Sequence, residues 1–293
     1  MKPDVALILC RFLFDGAALF LWGASAYLSA LVPAELARWT DRRLGTPIRV
    51  AVVLLAATTA VLIPVRTATI GEGWPDALSP ELLQSTLLET SIGQAWIIQA
   101  TLTALLLIVM FASPARYRLG GRALCAGLLL AGLTISGHAA MNGGWLRTVH
   151  RLNDAVHLLA AGAWIGALAP VLVILHGLND EQRQRDARVA LMRFSTAGHV
   201  AVALVLLSGV ANTFLIVGGF PLDWSLDYQR LLCIKLVLVA LMIALALANR
   251  YVFVPRLGRG RSLTALAWAT RAEIFLSFCV VALVAWFGTL QPT

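Results

Sequence analysis

Apolar stretches long enough to cross a bilayer recur along the whole chain, and no other feature of the sequence constrains the fold as much. Eight can be drawn, over about residues 5–31, 48–65, 92–111, 123–141, 154–175, 196–218, 230–249 and 273–290. A hydrocarbon core roughly 30 Å thick takes about 20 residues of helix to cross. A backbone in lipid must satisfy its own hydrogen bonds, which leaves helices or closed barrels. The alternation of apolar and polar residues that marks barrel strands is absent. The sequence therefore predicts an all-α polytopic membrane protein, a bundle of eight transmembrane helices forming a single integral membrane domain over 1–293. Only 13% of the residues are charged, about half the share of an ordinary soluble domain. The first run is too long for a signal-peptide core and lacks a clean cleavage site, so it is expected to stay as the first span.

A net charge of +8 would ordinarily raise nucleic acid as a partner, but the basic residues sort by loop. Loops around 38–49, 116–122, 183–193 and 250–271 hold 16 arginines, whereas the opposite face, termini included, has 7 lysines and arginines. Positive charge is retained on the cytoplasmic side, so both termini are expected in the periplasm. The basic excess is a topology signal, and the expected surroundings are a lipid bilayer with no nucleic acid. Cys10, Cys125, Cys233 and Cys279 all sit inside apolar runs without a CxxC pair, as small buried hydrophobes do.

Two features of the outer half stand apart from the lipid-facing pattern. Arg11 and Asp15 lie four apart in the first span, on one helical face, where a mutual salt bridge is expected and Asp15 is a candidate for lining a cation path. The loop 66–91 is acidic, with Glu72, Asp76, Glu81 and Glu89 against Arg66. Within it Ser79-Pro80-Glu81 is a helix start, with an N-cap, a proline at the first position and an acid in the first turn. A short helix lying on the outer membrane surface is expected there, and Glu89 is a further pathway candidate.

Three of the five histidines fall in the passage 136–170, SGHAAMNGGWLRTVHRLNDAVHLLAAGAWIGALAP. Each costs free energy at the edge of a hydrocarbon layer unless a partner or metal holds it. His138 and Met141 end the fourth span, and His150 and His157 begin the fifth. The turn Asn142-Gly143-Gly144 makes the two spans neighbours. His150, Asp154, His157, Ala161 and Trp164 step by four and three, giving one helical face. Seven residues rise roughly 10 Å, too far for His150 and His157 to share one ion, so a site is expected from His138 with either of them, or two sites in relay. Asp154 would orient a ligand imidazole. Imidazole beside the Met141 thioether suits copper better than magnesium or calcium, with zinc and iron open on chemistry alone. The plainer reading is that each histidine caps a helix or bonds a carbonyl. His176 and His199, at the cytoplasmic ends of their spans, are too far away to join and are expected as interfacial residues. Gly162 and Gly166 with neighbouring alanines form a small-residue packing face.

SGHAA (136–140), HRLNDAVHLLAAGAWIGAL (150–168), RFS (193–195), SGVANT (208–213), YQRLLCIKLVLV (228–239), ALANR (246–250) and FGTLQP (287–292) stand in order along the chain, with LLETSIGQAW (87–96) a weaker echo. This ordered set resembles the copper resistance protein D family, eight-span proteins of the bacterial inner membrane, most strongly over about 123–292. The resemblance implies a copper ion as the species handled, with His138, His150 and His157 as candidate ligands, Asp154 in support, and a separate periplasmic copper-carrier protein as partner. The functional expectation is a non-enzymatic copper permease without ATP use, since no Walker motif is present. Asn212 and Asn249, with Lys235 and Glu273, are the polar candidates for the inner half of a path. Two other readings stand beside it: a membrane haem-binding electron carrier with histidine axial ligands, and a copper-delivery assembly factor that does not transport.

Overall fold

In a computed structural model of the chain, which describes residues 1–136, 143–254 and 262–291, the eight apolar runs become eight helical spans. No strand occurs among the described residues. The first span, α1 (Pro3–Ala30), stops before Pro33. A short helix α2 (Ala34–Arg43) follows, then α3 (Gly45–Ile70), α4 (Pro80–Glu89), α5 (Ser91–Phe111) and α6 (Ala115–Gly132). The second half comprises α7 (Gly144–Ile165), α8 (Leu168–Gly177), α9 (Gln184–Val217), α10 (Asp227–Ala248) and α11 (Ser262–Phe287).

α1 is the axle of the bundle, packing against α3, α6, α7 and α11. Its backbone touches that of α7 directly. A Cβ on Gly23 would fall 2.0 Å from the Gly162 carbonyl oxygen, and one on Gly166 would fall 2.2 Å from the Leu19 carbonyl oxygen. Hydrogen side chains let two backbones touch in a medium with no hydrophobic drive between helices. The small-residue face expected at Gly162 and Gly166 is thus met by a glycine on α1.

The fifth span is longer than expected and broken. α7 starts at Gly144, so His150 lies nearly two turns inside the helix rather than at its start. The break between α7 and α8 falls at Gly166–Ala167. Pro170 explains it: proline has no N–H for the Gly166 carbonyl, and its ring would strike that carbonyl in a continuous helix. α9, at 34 residues, is about 50 Å long, so it overruns a bilayer core. It ends where Gly218 adopts φ +77, the left-handed conformation that glycine enters without a Cβ penalty.

Both surface helices follow local rules. α4 begins as the sequence predicts, with Ser79 Oγ accepting from the Leu82 amide at 3.4 Å and donating to Glu81 at 2.9 Å. α2 was expected to be loop. Instead Leu36, Ala37 and Thr40 bury one side, while the Arg43 and Arg183 guanidiniums stack on the Trp39 ring at 4.9 and 5.1 Å. Its apolar positions are too few for a hydropathy signal, yet they recur at helical spacing.

Trp74 donates to the Met1 carbonyl at 2.7 Å and Arg11 to the Gly288 carbonyl at 2.9 Å. These contacts put both termini and the loop before α4 at one end of the bundle. The other end carries α2 and the arginine-rich connections.

Candidate functional site: a polar chamber at the termini end

A cavity of about 270 Å³ lies between the helices toward the termini end. Polar and charged side chains interrupt its otherwise apolar walls. α1 contributes Arg11 and Asp15, α3 Arg66, α5 Gln99, α7 His150, Asp154 and His157, α9 Asn212, and α10 Tyr228 and Lys235. The step of four and three along α7 therefore does turn His150, Asp154, His157 and Ala161 to one volume. Trp164, next in that series, lies below it in an apolar cluster with Met242 and Ala201.

The best-defined side chain is His157. Its Nδ1 lies 3.0 Å from Ser208 Oγ on α9. The serine hydroxyl has one hydrogen, and it points to the Leu204 carbonyl at 2.5 Å. With its hydrogen there Ser208 accepts from His157 in the tautomer that carries its proton on Nδ1, and His157 also bonds the Val205 carbonyl. In that tautomer Nε2 keeps the lone pair a metal ligand requires. Gly209 makes the contact feasible, because a Cβ there would fall 3.3 Å from His157 Cε1.

A second network fixes Asp154. Asn153 Nδ2 donates to the Ser208 carbonyl at 2.9 Å and to Asn212 Oδ1 at 2.8 Å, and Asn212 Nδ2 donates to Asp154 Oδ1 at 3.1 Å. The acceptor role of Asn212 Oδ1 sets its amide orientation without ambiguity. Two i,i+4 pairs face one another here, Asn153 and His157 on α7 against Ser208 and Asn212 on α9. The motifs ending NDAVH and beginning SGVAN are two halves of one contact.

Several expectations change. Arg11 and Asp15 form no ion pair; Arg11 donates instead to the carbonyl of Gly288, at the end of α11, where a helix terminus leaves carbonyls unsatisfied. Glu89 lies exposed at the end of α4, accepting from Ser85 at 3.2 Å, and takes no part in the chamber. Asn212 and Lys235 belong to the termini-end chamber rather than to the other half of a path. Asn249 and Glu273 do lie in that other half, bonded to each other at 2.5 Å. His176 and His199 bond the carbonyls of Leu172 and Ser195, one turn back in their own helices.

His138 and Met141 lie outside the described residues, although Ser136, two positions before His138, lines the chamber. Among the described residues no three His, Cys, Asp or Glu side chains converge as a metal-holding group. Sequence reasoning missed Ser208 and Asn153 as positioning groups and Arg66, Gln99 and Tyr228 as lining. Only the matching i,i+4 spacings of the two motifs could have revealed the first pair.

These features define a class, the polytopic helical membrane protein with a charged chamber enclosed by its spans. Comparison with known proteins narrows it. Residues 1–148 match the family model described as copper resistance protein D-like, N-terminal domain, and residues 188–287 match that of copper resistance protein D. Inner membrane protein YebZ of Escherichia coli K12 is 37% identical over 290 residues, covering 97% of this chain and 98% of its own. Copper resistance protein D of Pseudomonas syringae pv. tomato is 31% identical, covering 82% of this chain and 80% of its own. Copper transport protein CutJ of Bacillus subtilis is 30% identical over 78% of this chain but only 42% of its own length. No solved structure matches the chain. The chain belongs to the copper resistance protein D family, and it is a multi-pass protein of the inner membrane.

Proposed function

We propose that this protein takes up copper ions at the chamber, from the periplasmic side, and passes them across the inner membrane without ATP and without catalysing a reaction. Family membership supports copper as the species handled. The observation that carries the reading is His157, held by Ser208 on α9 and lining one chamber with His150 and Asp154. With its proton on Nδ1 this imidazole offers Nε2 as a ligand. Imidazole with a thioether is a donor set for copper, and in this reading His138 and Met141 complete it. The arginine asymmetry makes the termini end the periplasmic one, where a separate soluble carrier would deliver the ion.

Copper uptake into vesicles containing the purified protein tests this. Wild type should accumulate copper, and His157→Ala should bind it at least about tenfold more weakly, as loss of one positioned ligand does. Protein that binds copper but moves none would be a delivery factor instead. Wild type that binds no copper would end the reading.

A further inference from the structure

The chamber holds more positive charge than its own carboxylates offset, and we propose that its Arg11–Arg66 corner binds a small monovalent inorganic anion of the halide class. Three cationic side chains line the cavity, Arg11, Arg66 and Lys235, against two carboxylates, Asp15 and Asp154. The carboxylates bear on the other two cations. Asp154 acts on Lys235, and Asp15, one turn from Arg11 on α1, acts on that arginine. The charge that bears on Arg66 is Arg11, which repels it.

Arg66 is also incompletely bonded: its Nε is buried and has no hydrogen-bond partner among the described residues. The ion pairs of the described residues involve Arg38, Arg122, Arg183 and Arg230, and neither arginine of this corner. Two guanidiniums facing one volume of low dielectric repel each other strongly. A guanidinium N–H left unpaired away from water costs a full desolvation penalty. One anion between them offsets both costs, and guanidinium forks are well suited to hold it.

Size and charge follow from the surroundings. The surplus is one positive charge, so a monovalent ion neutralises it. The cavity is about 270 Å³ and is shared with the histidines, which is ample for a halide. Gln99, 4% exposed on α5 and lining the same cavity, supplies a further N–H donor. With the anion in place a cation entering the chamber meets no net repulsion.

The site stands apart from the copper reading, and its test uses metal-free protein. The full chain in detergent is titrated with sodium chloride or bromide against sodium gluconate at constant ionic strength, and its thermal unfolding is followed. Both halides should raise the midpoint saturably while gluconate does not. Arg66→Gln should abolish that response, and Arg66→Lys should restore part of it. Equal behaviour in chloride and gluconate, or an undiminished halide response in Arg66→Gln, would overturn the proposal. Should Arg66→Gln fail to fold, wild-type crystals grown in bromide decide. An anomalous peak between Arg11 and Arg66 supports the site, and its absence rejects it.

Discussion

The two ends of the bundle bury the same kinds of group and use them differently. At the arginine-rich end Arg122, 2% exposed on α6, donates from Nε to Ser25 at 2.6 Å and through another nitrogen to Asp41 at 2.5 Å. Glu273, also 2% exposed, accepts from Asn249 at 2.5 Å and from the Trp164 indole. Neither lines the chamber. At the termini end Arg66 lines an open volume, its Nε without a partner among the described residues. A buried charge enclosed by matched partners is part of the framework. A buried charge turned to a cavity keeps its demand for a partner and presents it to whatever enters.

The largest effect expected from breaking this contrast comes from Arg122. Replacing it with alanine removes the bond to Ser25 and half of an ion pair joining α6 to α2. Breaking a fully buried pair typically costs 3–5 kcal/mol. The Asp41 side chain is 37% exposed and can turn to water, so a loss of about 3 kcal/mol is expected. Thermal unfolding or protease resistance in detergent measures it. Copper bound per folded molecule should stay unchanged. A stable Arg122→Ala protein that had lost copper binding would erase the distinction between the two ends.

Glu273→Gln should do much less. The amide keeps the shape of the carboxylate, and Asn249 Oδ1 is buried without a partner among the described residues. A flip of the Asn249 amide would let that oxygen accept from the new N–H₂, while the remaining carbonyl still accepts from Trp164. Satisfied networks tolerate such swaps, so the change in stability should be under about 1 kcal/mol. A loss above roughly 3 kcal/mol in the same unfolding assay would mean that this carboxylate needs its charge.

What was readable in advance divides along the same line. Number and type of spans, the start of α4 and the chamber face of α7 come from hydropathy, a cap and a helical period, all local properties. The partner of Arg11 was misjudged because the nearest opposite charge in sequence is Asp15, whereas the group within reach in space is a carbonyl 277 positions away. Asn212 and Lys235 were assigned to the wrong half although their places, late in an outward-running span and early in the next, already put them near the termini end. Ser208 carried no signal alone; a serine in an apolar helix usually bonds its own i−4 carbonyl, and this one does so while also receiving His157. α2 escaped notice because a helix of 10 residues with three buried positions never produces an apolar run.

The smallest effect belongs to exposed charge at the chamber end and sets the lower bound of the comparison. Glu81 is solvent-exposed in the first turn of α4, yet its carboxylate titrates below the ordinary glutamate value. Its own backbone N–H is the main cause, and the Ser79 hydroxyl adds to it. A carboxyl group depressed in the folded state contributes stability above its unfolded pKa, about 4.3 for glutamate, and that contribution fades as pH falls through the lower folded value. The amides at the start of α4 should therefore lose hydrogen-exchange protection in acid, beginning below about pH 4.3, while those of α7 around His157 do not follow. Ser79→Ala should shrink that loss, complete it at a higher pH and remove the N-cap as well. If the variant and the wild type fray at the same pH, Ser79 does not hold the carboxylate and the helix start rests on Pro80 alone. If α7 frays together with α4, the chamber is coupled to its surface helix, and the boundary between framework and site has to be drawn farther out.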